Sequence, residues 1–318
     1  MLDVVVRMIR GDAQRAMDEA LSALDHLSGT KTHLVMSGAL DMSLGDRAAA
    51  YGKFLAAKKL PAPWFSALRG CETVRKWERR PPWLRPRSRP ADWRSPITWV
   101  VPGKHSDLTV LCAANNRYFV HFAESFLLGL NDSTTPVHFH VVNWTEQCDA
   151  VLNRLNRRGG ISVTHETYPH SGDKTYFATV RMLRAYDFLR TLGPLYISDI
   201  DNVFTRKPED VRPMWGGADF AVKYTKWRGL LPWLSINAGY IYLNDTIRGL
   251  ETALLMANYI DHLFKPNSQK SWYFDQLLLD EVAMHTGAKI KEITFANCPA
   301  ISRQKEKPVA TAKAVVVA

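Results

Sequence analysis

The stretch Leu195–Phe204, LYISDIDNVF, decides the interpretation of the chain, because an apolar strand pattern ends there in two acidic residues. Asp199 and Asp201 are one residue apart, so at the end of a strand both carboxylates face the same side and can share a divalent cation. Without a cation the two negative charges would repel each other. A turn or a helix cap usually explains an isolated D-x-D, but the strand before it and VF and KPEDV after it favour a metal site.

Around this stretch, residues 105–300 alternate short β-branched or aromatic runs with amphipathic runs. The first kind predicts strands and the second predicts helices. The predicted strands are LTVLCAAN (108–115), PVHFHVVN (136–143), ISVTHETY (161–168) and PLYISDID (194–201). The predicted helices are FVHFAESFLLGL (119–130), EQCDAVLNRLNR (146–157) and YFATVRMLRAYDFLRTL (176–192). The alternation is typical of an α/β fold with a parallel sheet, whose ligands bind beyond the carboxyl ends of the strands.

Composition limits the possible classes of protein. The chain has 318 residues, 46% hydrophobic and 23% charged, which excludes a disordered, collagen-like or coiled-coil chain. The length allows two domains or one large domain with an appendage. Lys and Arg number 41 against 31 Asp and Glu, a net charge of +10. Such a basic chain favours anionic partners: nucleotide phosphates, nucleic acid or acidic lipids.

The cysteines and apolar runs indicate a cytoplasmic protein. Four cysteines without a C-x-x-C pair predict buried free thiols rather than a disulfide scaffold or a zinc site. They are Cys71, Cys112, Cys148 and Cys298. The apolar run at the N-terminus is too short for a signal peptide, and no stretch reaches the ~18 apolar residues of a membrane-spanning helix. We therefore expect a cytoplasmic location, at most with contact to the inner face of a membrane.

Residues 1–70 contain a weak internal repeat. GDAQRAMDEALSAL begins at Gly11 and GDRAAAYGKFLAAKKLPAP begins at Gly45, an offset of 34 residues. This is the tetratricopeptide period, and the segment resembles one and a half such units, with Gly38 where two helices would pack closely. A generic Ala-rich helical hairpin is the alternative. Either form needs a neighbouring domain or a partner, since single repeats are not stable alone.

Residues 71–104 are rich in Arg, Pro and Trp, and the frequent prolines exclude a helix or a central strand. Five of the ten tryptophans lie in or near this segment: Trp64, Trp77, Trp83, Trp93 and Trp99. We favour a linker that wraps the following domain with its tryptophans as anchors. Contact with an anionic membrane surface is a second interpretation. Binding of single-stranded nucleic acid is the least favoured.

Motifs of several other enzyme classes are missing from the sequence. It contains no G-x-x-x-x-G-K-[ST], G-x-G-x-x-G or G-x-S-x-G, which argues against a P-loop kinase, a Rossmann dehydrogenase and an α/β-hydrolase. The histidines form no H-E-x-x-H. His138 and His140 alternate on a predicted strand, which indicates a structural role.

Read in order, the strand ends resemble the metal-dependent nucleotide-sugar glycosyltransferases of the GT-A fold, most closely the family-8 type. The resemblance covers roughly residues 107–297, and Asp199 and Asp201 fall on the family's D-x-D. In the family, a helix before the metal strand carries an arginine that contacts the sugar or phosphates of the donor. Arg181 is the best-spaced candidate for this arginine, and Arg184 is the second.

The turn after the first strand also matches the family. AANNRY at 113–118 stands where the family has an Ala-Ala-Asp-Asp-x-Tyr-like turn that holds the nucleotide base. The resemblance implies that Ala113, Asn115 and Tyr118 bind the donor. Asn115 and Asn116 replace the family's acids, and an amide hydrogen bonds without carrying a charge, so the identity of the base stays open.

Two further segments resemble the family's sugar site. SINAGYIYLN corresponds to an Asn-Ala-Gly strand whose asparagine lies near the donor sugar, which implies this role for Asn237. Gly239 would allow a close approach of the backbone within that strand. WYFDQLLLDEV carries Asp275 and Gln276, matching an Asp-Gln pair beside the transferred sugar.

The C-terminal segment departs from the family pattern. The family's His-x-x-Gly-x-x-Lys-Pro supplies a third metal ligand and a lysine for the phosphates, whereas ISRQKEKPVATAK keeps Lys307 and Pro308 and has no histidine there. Either water or another side chain completes the metal shell, or the metal is held weakly. Lys307 is the expected phosphate ligand, with Arg303 and Lys305 as alternatives.

The resemblance implies a metal-dependent hexosyltransferase that retains the anomeric configuration and uses Mn²⁺ or Mg²⁺. The expected donor is a UDP-sugar, and the acceptor a saccharide, lipid or protein. The expected organisation is a tetratricopeptide-like helical segment (1–70), a basic linker (71–104) and a GT-A domain (105–318) with a mixed, mainly parallel sheet flanked by helices. One alternative is an inactive GT-A scaffold acting as an interaction module, which the missing histidine favours. Another is a sugar-1-phosphate nucleotidyltransferase, whose Gly-rich loop CAANNRYF does not match.

Overall fold

The computed structural model describes residues 19, 22, 28–61, 66–86, 91, 94–156, 159–170, 172–266 and 273–302. Its helices are α1 (Lys31–Ser43), α2 (Arg47–Lys58), α3 (Asn116–Leu128), α4 (Glu146–Leu155), α5 (Lys174–Leu183), α6 (Ala185–Leu192), α7 (Pro208–Val211), α8 (Pro232–Ser235), α9 (Ile247–Leu263) and α10 (Phe274–His285). Its strands are β1 (Thr98–Val101), β2 (Thr109–Asn115), β3 (Val137–Val142), β4 (Ile161–Glu166), β5 (Leu195–Ser198), β6 (Asn202–Phe204), β7 (Phe220–Tyr224), β8 (Ile236–Leu243), β9 (Ile290–Glu292) and β10 (Ala300–Ser302).

Within these described residues, eight strands form one sheet in the order β1-β4-β3-β2-β5-β8-β7-β9. The four central strands β4, β3, β2 and β5 are parallel neighbours, and β8 runs antiparallel between β5 and β7. At the edges, β1 pairs antiparallel with β4, and β9 pairs parallel with β7. A separate antiparallel ribbon joins β6 to β10. The predicted fold class, α/β with a mixed, mainly parallel sheet flanked by helices, is confirmed.

The strands of the parallel part are buried on both faces, as their nearly continuous apolar sequences require. Every residue of β3 is buried, and β2 is buried from Thr109 to Ala114. One face of the sheet packs against α5, α6, α9 and α10, and the other face packs against α3 and α4. The four cysteines are free and buried, as the sequence predicts.

His138 and His140 lie on β3 within this core and are fully buried. His138 hydrogen bonds to the hydroxyls of Ser162 and Thr164 on β4, and His140 shares Thr164. Desolvation lowers the pKa of His138 well below its usual value. These contacts fit the structural role that the sequence indicates.

The helix predicted over 176–192 is two helices that meet at Arg184. Arg184 is the C-cap of α5 and the N-cap of α6, with φ −96° and ψ −3°. Its Nε donates to Glu166 Oε2 at 2.7 Å, and its guanidinium also donates to the carbonyl of Ser95. These partners belong to β4 and to the segment before β1, which are distant in sequence. The amphipathic pattern of residues 176–192 continues across the break and therefore does not reveal it.

The helical segment at the N-terminus contains a hairpin of α1 and α2. A Cβ on Gly38 of α1 would lie 2.6 Å from Phe54 Cε1 of α2, so this glycine allows the close packing that the sequence predicts. The first copy of the repeat lies outside the described residues, apart from residues 19 and 22. The tetratricopeptide resemblance therefore stays a prediction.

Parts of the basic segment 71–104 pack against the sheet domain. Trp83 is buried and packs edge-on against Tyr259 of α9, with ring centroids 5.1 Å apart. Further along the segment, β1 forms an edge strand of the main sheet. Prolines are tolerated next to an edge strand, because one side of that strand forms no backbone hydrogen bonds within the sheet. Trp64 and Trp93 lie outside the described residues. No helix in the part of the chain that the structure describes is long and apolar enough to span a membrane.

Candidate active site

The candidate site lies where the strand order reverses direction. β2 is flanked on one side by β3 and on the other by β5, and Cys112 is paired with Ser198. Beyond these neighbouring positions, β2 continues to Asn115, and β5 is followed at once by Asp199. In open α/β sheets, the crevice at such a switch point is where ligands bind.

The D-x-D motif lies just past the end of β5 instead of within it. The strand ends at Ser198, and residues 200 and 201 form a turn that Asn202 closes by donating its N–H to the carbonyl of Asp199 at 3.2 Å. The alternation of side chains along a strand therefore does not govern how Asp199 and Asp201 face. Their position at the carboxyl edge of the sheet agrees with the prediction.

A buried arginine connects the segments that the sequence singles out. Arg181 on α5 is 4% exposed, and its Nη1 lies 2.6 Å from Asp199 Oδ1. Its Nη2 lies 3.5 Å from Asp275 Oδ2 on α10 and donates to the carbonyl of Ala238 on β8 at 3.2 Å. One guanidinium thus fixes two carboxylates and a strand relative to each other. Arg184, the second candidate for the donor arginine, binds Glu166 and lies outside this cluster.

Gly239 is the residue of β8 that faces Asp199. A Cβ at Gly239 would collide with Asp199 Oδ2, so only glycine leaves room for this carboxylate. Its N–H donates to the side-chain oxygen of Asn237 at 3.0 Å. Asn237 therefore lies next to Asp199, with its oxygen engaged by its own strand.

Asp275 is a buried acid whose protonation depends on these neighbours. Burial raises the pKa of Asp275 to about 6, although Arg181 acts to lower it, and the charge of Asp199 raises it further. The N–H of Gln276 donates to Asp275 Oδ1 at 2.9 Å. In the orientation that satisfies its hydrogen bonds, the Gln276 amide nitrogen donates to the carbonyls of Trp233 (3.1 Å) and Ile236 (3.2 Å). Gln276 thus joins α10 to the start of β8.

The turn after β2 presents an aromatic ring to solvent. Asn115 is the N-cap of α3, and its side-chain oxygen accepts the N–H of Tyr118 at 2.9 Å. Tyr118 is 52% exposed and lies beside Phe122, with ring centroids 5.5 Å apart. Ala113 is buried in the sheet. The Tyr118 ring is thus exposed to solvent, whereas the Asn115 oxygen caps the helix.

The donor set beyond β5 suits a hard cation but is incomplete. Carboxylate oxygens are the ligands that Mg²⁺ and Mn²⁺ prefer. Arg181 occupies Asp199 Oδ1, so Asp199 would offer Oδ2 and Asp201 would add a second carboxylate. Over the described residues, no group of three or more His, Cys, Asp or Glu side chains could hold a metal ion. Water or substrate oxygens would have to fill the remaining positions. Arg303, Lys305 and Lys307 lie outside the described residues.

Asn202 is a residue of the site that the sequence analysis did not single out. Its amide nitrogen donates to Ser198 Oγ at 3.0 Å and to the carbonyl of Gly239 at 3.1 Å. It thereby ties β5 to β8 directly beneath Asp199. Its place immediately after the D-x-D was the available signal.

No family model and no curated protein matches the chain. Among solved structures, it is similar to the glycosyltransferase GlyE of Streptococcus pneumoniae TIGR4 (16% identity, TM-score 0.41), over 60% of this chain and 45% of GlyE. It is similar to the galactosyltransferase LgtC in complex with donor and acceptor sugar analogues (14% identity, TM-score 0.42), over 58% of this chain and 73% of LgtC. It is also similar to mouse xyloside xylosyltransferase 1 (11% identity, TM-score 0.40), over 59% and 85% of the two chains. The similar part thus spans less than half of GlyE.

Proposed function

We propose that the protein is a glycosyltransferase of the GT-A type that transfers a hexosyl group from a nucleoside diphosphate donor. The observation that carries the proposal is the Arg181 cluster at the switch point of the sheet. Arg181 links Asp199 at the end of β5, Asp275 on α10 and the backbone of β8 next to Gly239. These are the segments in which the sequence resembles the family.

The chain's own residues take the following roles in this proposal. Asp199 and Asp201 hold Mn²⁺ or Mg²⁺, and Arg181 fixes Asp199 and adds positive charge near the phosphates. A cation bound there supplies charge that stabilises the leaving diphosphate, which is usually the largest part of such catalysis. The face of Tyr118 receives the base, which is uracil when the donor is the expected UDP-sugar.

The sugar lies on the other side of Arg181 in the proposal. Asn237, Asp275 and Gln276 line this side, with Asp275 held by Arg181 and by the N–H of Gln276. Transfer with retention of configuration to a saccharide, lipid or protein belongs to the same proposal. So do a cytoplasmic location and contact of the basic segment 71–104 with a membrane surface.

Hydrolysis of a panel of nucleotide sugars with Mn²⁺ tests the proposed function. We expect at least one UDP-sugar to be hydrolysed, and we expect chelation of the metal to abolish this activity. Asp201→Asn keeps the size of the side chain and removes its charge, and it should lower kcat by on the order of 10²-fold or more. The control is Asp132→Asn, an exposed acid after α3.

Two results would contradict the proposal in different ways. Turnover of no sugar by the wild type, at any metal concentration, would favour the inactive scaffold. Full activity of Asp201→Asn with the metal chelated would show that the acidic pair does not serve a cation.

A further inference from the structure

The hairpin of α1 and α2 contacts the helix that carries Asp275 and Gln276. Phe54 of α2 is fully buried against Trp233 of α8, edge to face, with ring centroids 4.9 Å apart and planes at 77°. The same hydrophobic cluster includes Leu277, the residue after Gln276 on α10. The hairpin therefore packs at the amino end of α10, next to the candidate site.

Trp233 links the hairpin to Gln276 through its ring and its backbone. Its ring is confined by Phe54 and also by Gly70, where a Cβ would collide with the indole. Its carbonyl accepts a hydrogen bond from the Gln276 amide nitrogen at 3.1 Å. Phe54 thus packs on the ring of the same residue whose backbone carbonyl holds Gln276.

A second contact holds α10 further along its length. Tyr51 donates its hydroxyl proton to Glu281, and Arg47 Nη1 lies 3.5 Å from Asp280 Oδ2. Both acids are buried. Arg47, Tyr51 and Phe54 are spaced at four and then three residues on α2, so they share one face of that helix. This face reaches α10 at two levels about one turn apart, near Leu277 and at Glu281.

The position of α10 decides the geometry of the Arg181 cluster. Asp275 Oδ2 is 3.5 Å from Arg181 Nη2, and the same guanidinium holds Asp199. At 3.5 Å this ion pair is longer than an ordinary N–H···O hydrogen bond, and a movement of α10 away from Arg181 would weaken it further. Misplacement by about 1 Å can cost on the order of 10²-fold in rate.

We propose that the hairpin is a brace of the catalytic domain: Arg47, Tyr51 and Phe54 hold α10 and Trp233 so that Asp275 and Gln276 keep their places beside Arg181. The catalytic part of this inference rests on the proposed function. In this role the three hairpin residues are positioning residues, because they act through α10 without touching the substrate. The hairpin's inner face is thereby occupied within the chain.

The test compares two matched Phe→Leu substitutions in the full chain. Phe54→Leu trims the brace, and Phe188→Leu trims an equally buried ring on α6, which packs against Trp99 of β1 and against His138 and His140 of β3. The readouts are kcat and KM for hydrolysis of the UDP-sugar identified above, and hydrogen exchange at the amides of Gln276 and Leu277. Tyr51→Phe is a second brace variant, which removes only the hydroxyl on Glu281.

We expect Phe54→Leu to lower kcat about 10-fold with KM within about two-fold, since the donor's other contacts stay in place. Exchange at Gln276 and Leu277 should be faster in Phe54→Leu and Tyr51→Phe than in the wild type. Phe188→Leu should change neither kcat nor this exchange, even when it lowers the melting temperature as much.

Unchanged exchange at the start of α10 in both brace variants would overturn the inference. So would a loss of kcat in Phe188→Leu equal to that in Phe54→Leu, since the effect would then follow general stability. If the wild type hydrolyses no nucleotide sugar, the proposed function fails, and the exchange measurements alone decide whether the hairpin braces α10.

Discussion

At the scale of single residues, the site depends on the absence of a side chain at Gly239. The backbone of β8 passes so close to Asp199 that a methyl group would occupy the place of its Oδ2. The sequence suggests a close approach at this glycine within an apolar strand, and the structure identifies the group that approaches. The identity of that group follows from the pairing of β5 with β8, which brings together residues about 40 positions apart.

Gly239→Ala is expected to abolish most activity while the protein stays folded. The added Cβ displaces Asp199, which then loses its place between Arg181 and the cation, and kcat should fall by on the order of 10²-fold. Hydrolysis of the UDP-sugar measures the effect. Gly52→Ala is the matched control, because no atom lies within 4 Å of a Cβ at that helical position. Equal activity of the two variants would mean that Asp199 has room to move without cost.

The sequence predicts the positions of residues that follow the end of a strand. It does not predict the contacts that side chains make with distant segments. Asp199 and Asn237 reach one edge of the sheet because apolar runs identify the strands. The pairing of Arg181 with both Asp199 and Asp275 had no local signal. Asn115 matches the family's base turn, yet its oxygen caps α3, a role that its position before the helix also predicts.

At the scale of elements, α10 carries Asp275 and Gln276 at its amino end and buried ionisable residues in its middle. Glu281 accepts the Tyr51 hydroxyl and lies near Asp280, Arg47 and His285. Burial raises the pKa of Glu281 to about 7, and the hydrogen bond from Tyr51 acts in the opposite direction. The folded protein therefore holds a proton that the unfolded chain releases near pH 4.5. The resulting stability is complete below that pH and is lost as the pH rises through about 7.

Glu281→Gln should remove this pH dependence. The difference in unfolding free energy, variant minus wild type, is expected to rise by about 2–3 kcal/mol between pH 5 and pH 8, because glutamine never ionises. Urea unfolding at the two pH values measures it. Glu251→Gln, at an exposed position of α9 beside Arg248, should change by less than about 0.5 kcal/mol. A difference that stays constant with pH would mean that Glu281 is ionised in the folded protein throughout.

Element boundaries were less predictable than element types. The predicted strands and helices of residues 108–201 are present, since their periodicity is strong. The sequence pattern does not predict the break at Arg184, because both helices continue the same apolar face. The predicted strand 194–201 extends past the observed end of β5 at Ser198 for a related reason. Ile200 is buried and continues the apolar pattern into the turn.

At the scale of the whole molecule, the hairpin and the sheet domain share a core. Phe54, Trp233 and Leu277 belong to one hydrophobic cluster although they are far apart in sequence. The sequence divides the chain into three regions of different composition. It also predicts that the hairpin packs against another part of the protein or a partner, because single repeats are not stable alone. The sequence does not identify the surface against which the hairpin packs, because contacts between distant segments produce no periodic pattern in the sequence of either segment.

We therefore expect thermal unfolding to show no separate transition for the hairpin. Phe54→Leu should lower the midpoint of the main transition by about 2–4 °C for each kcal/mol of lost packing. Differential scanning calorimetry of the full chain measures both quantities. A distinct early transition that Phe54→Leu alone displaces would indicate a hairpin that folds by itself.

The Arg181 cluster has an electrostatic sign opposite to that of the molecule. Two carboxylates, those of Asp199 and Asp275, contact one guanidinium there, and Asp201 follows close after Asp199, inside a chain whose net charge is +10. A pyrophosphate entering alone would meet surplus negative charge, so we expect an ordered mechanism in which the cation loads first and reverses the local potential. Calorimetric titration with UDP should give at least about 10-fold tighter binding with Mn²⁺ than without it, a gain of about 1.4 kcal/mol. Equal affinity for UDP with and without Mn²⁺ would mean that the basic residues of the protein surface, and not the cation, attract the nucleotide.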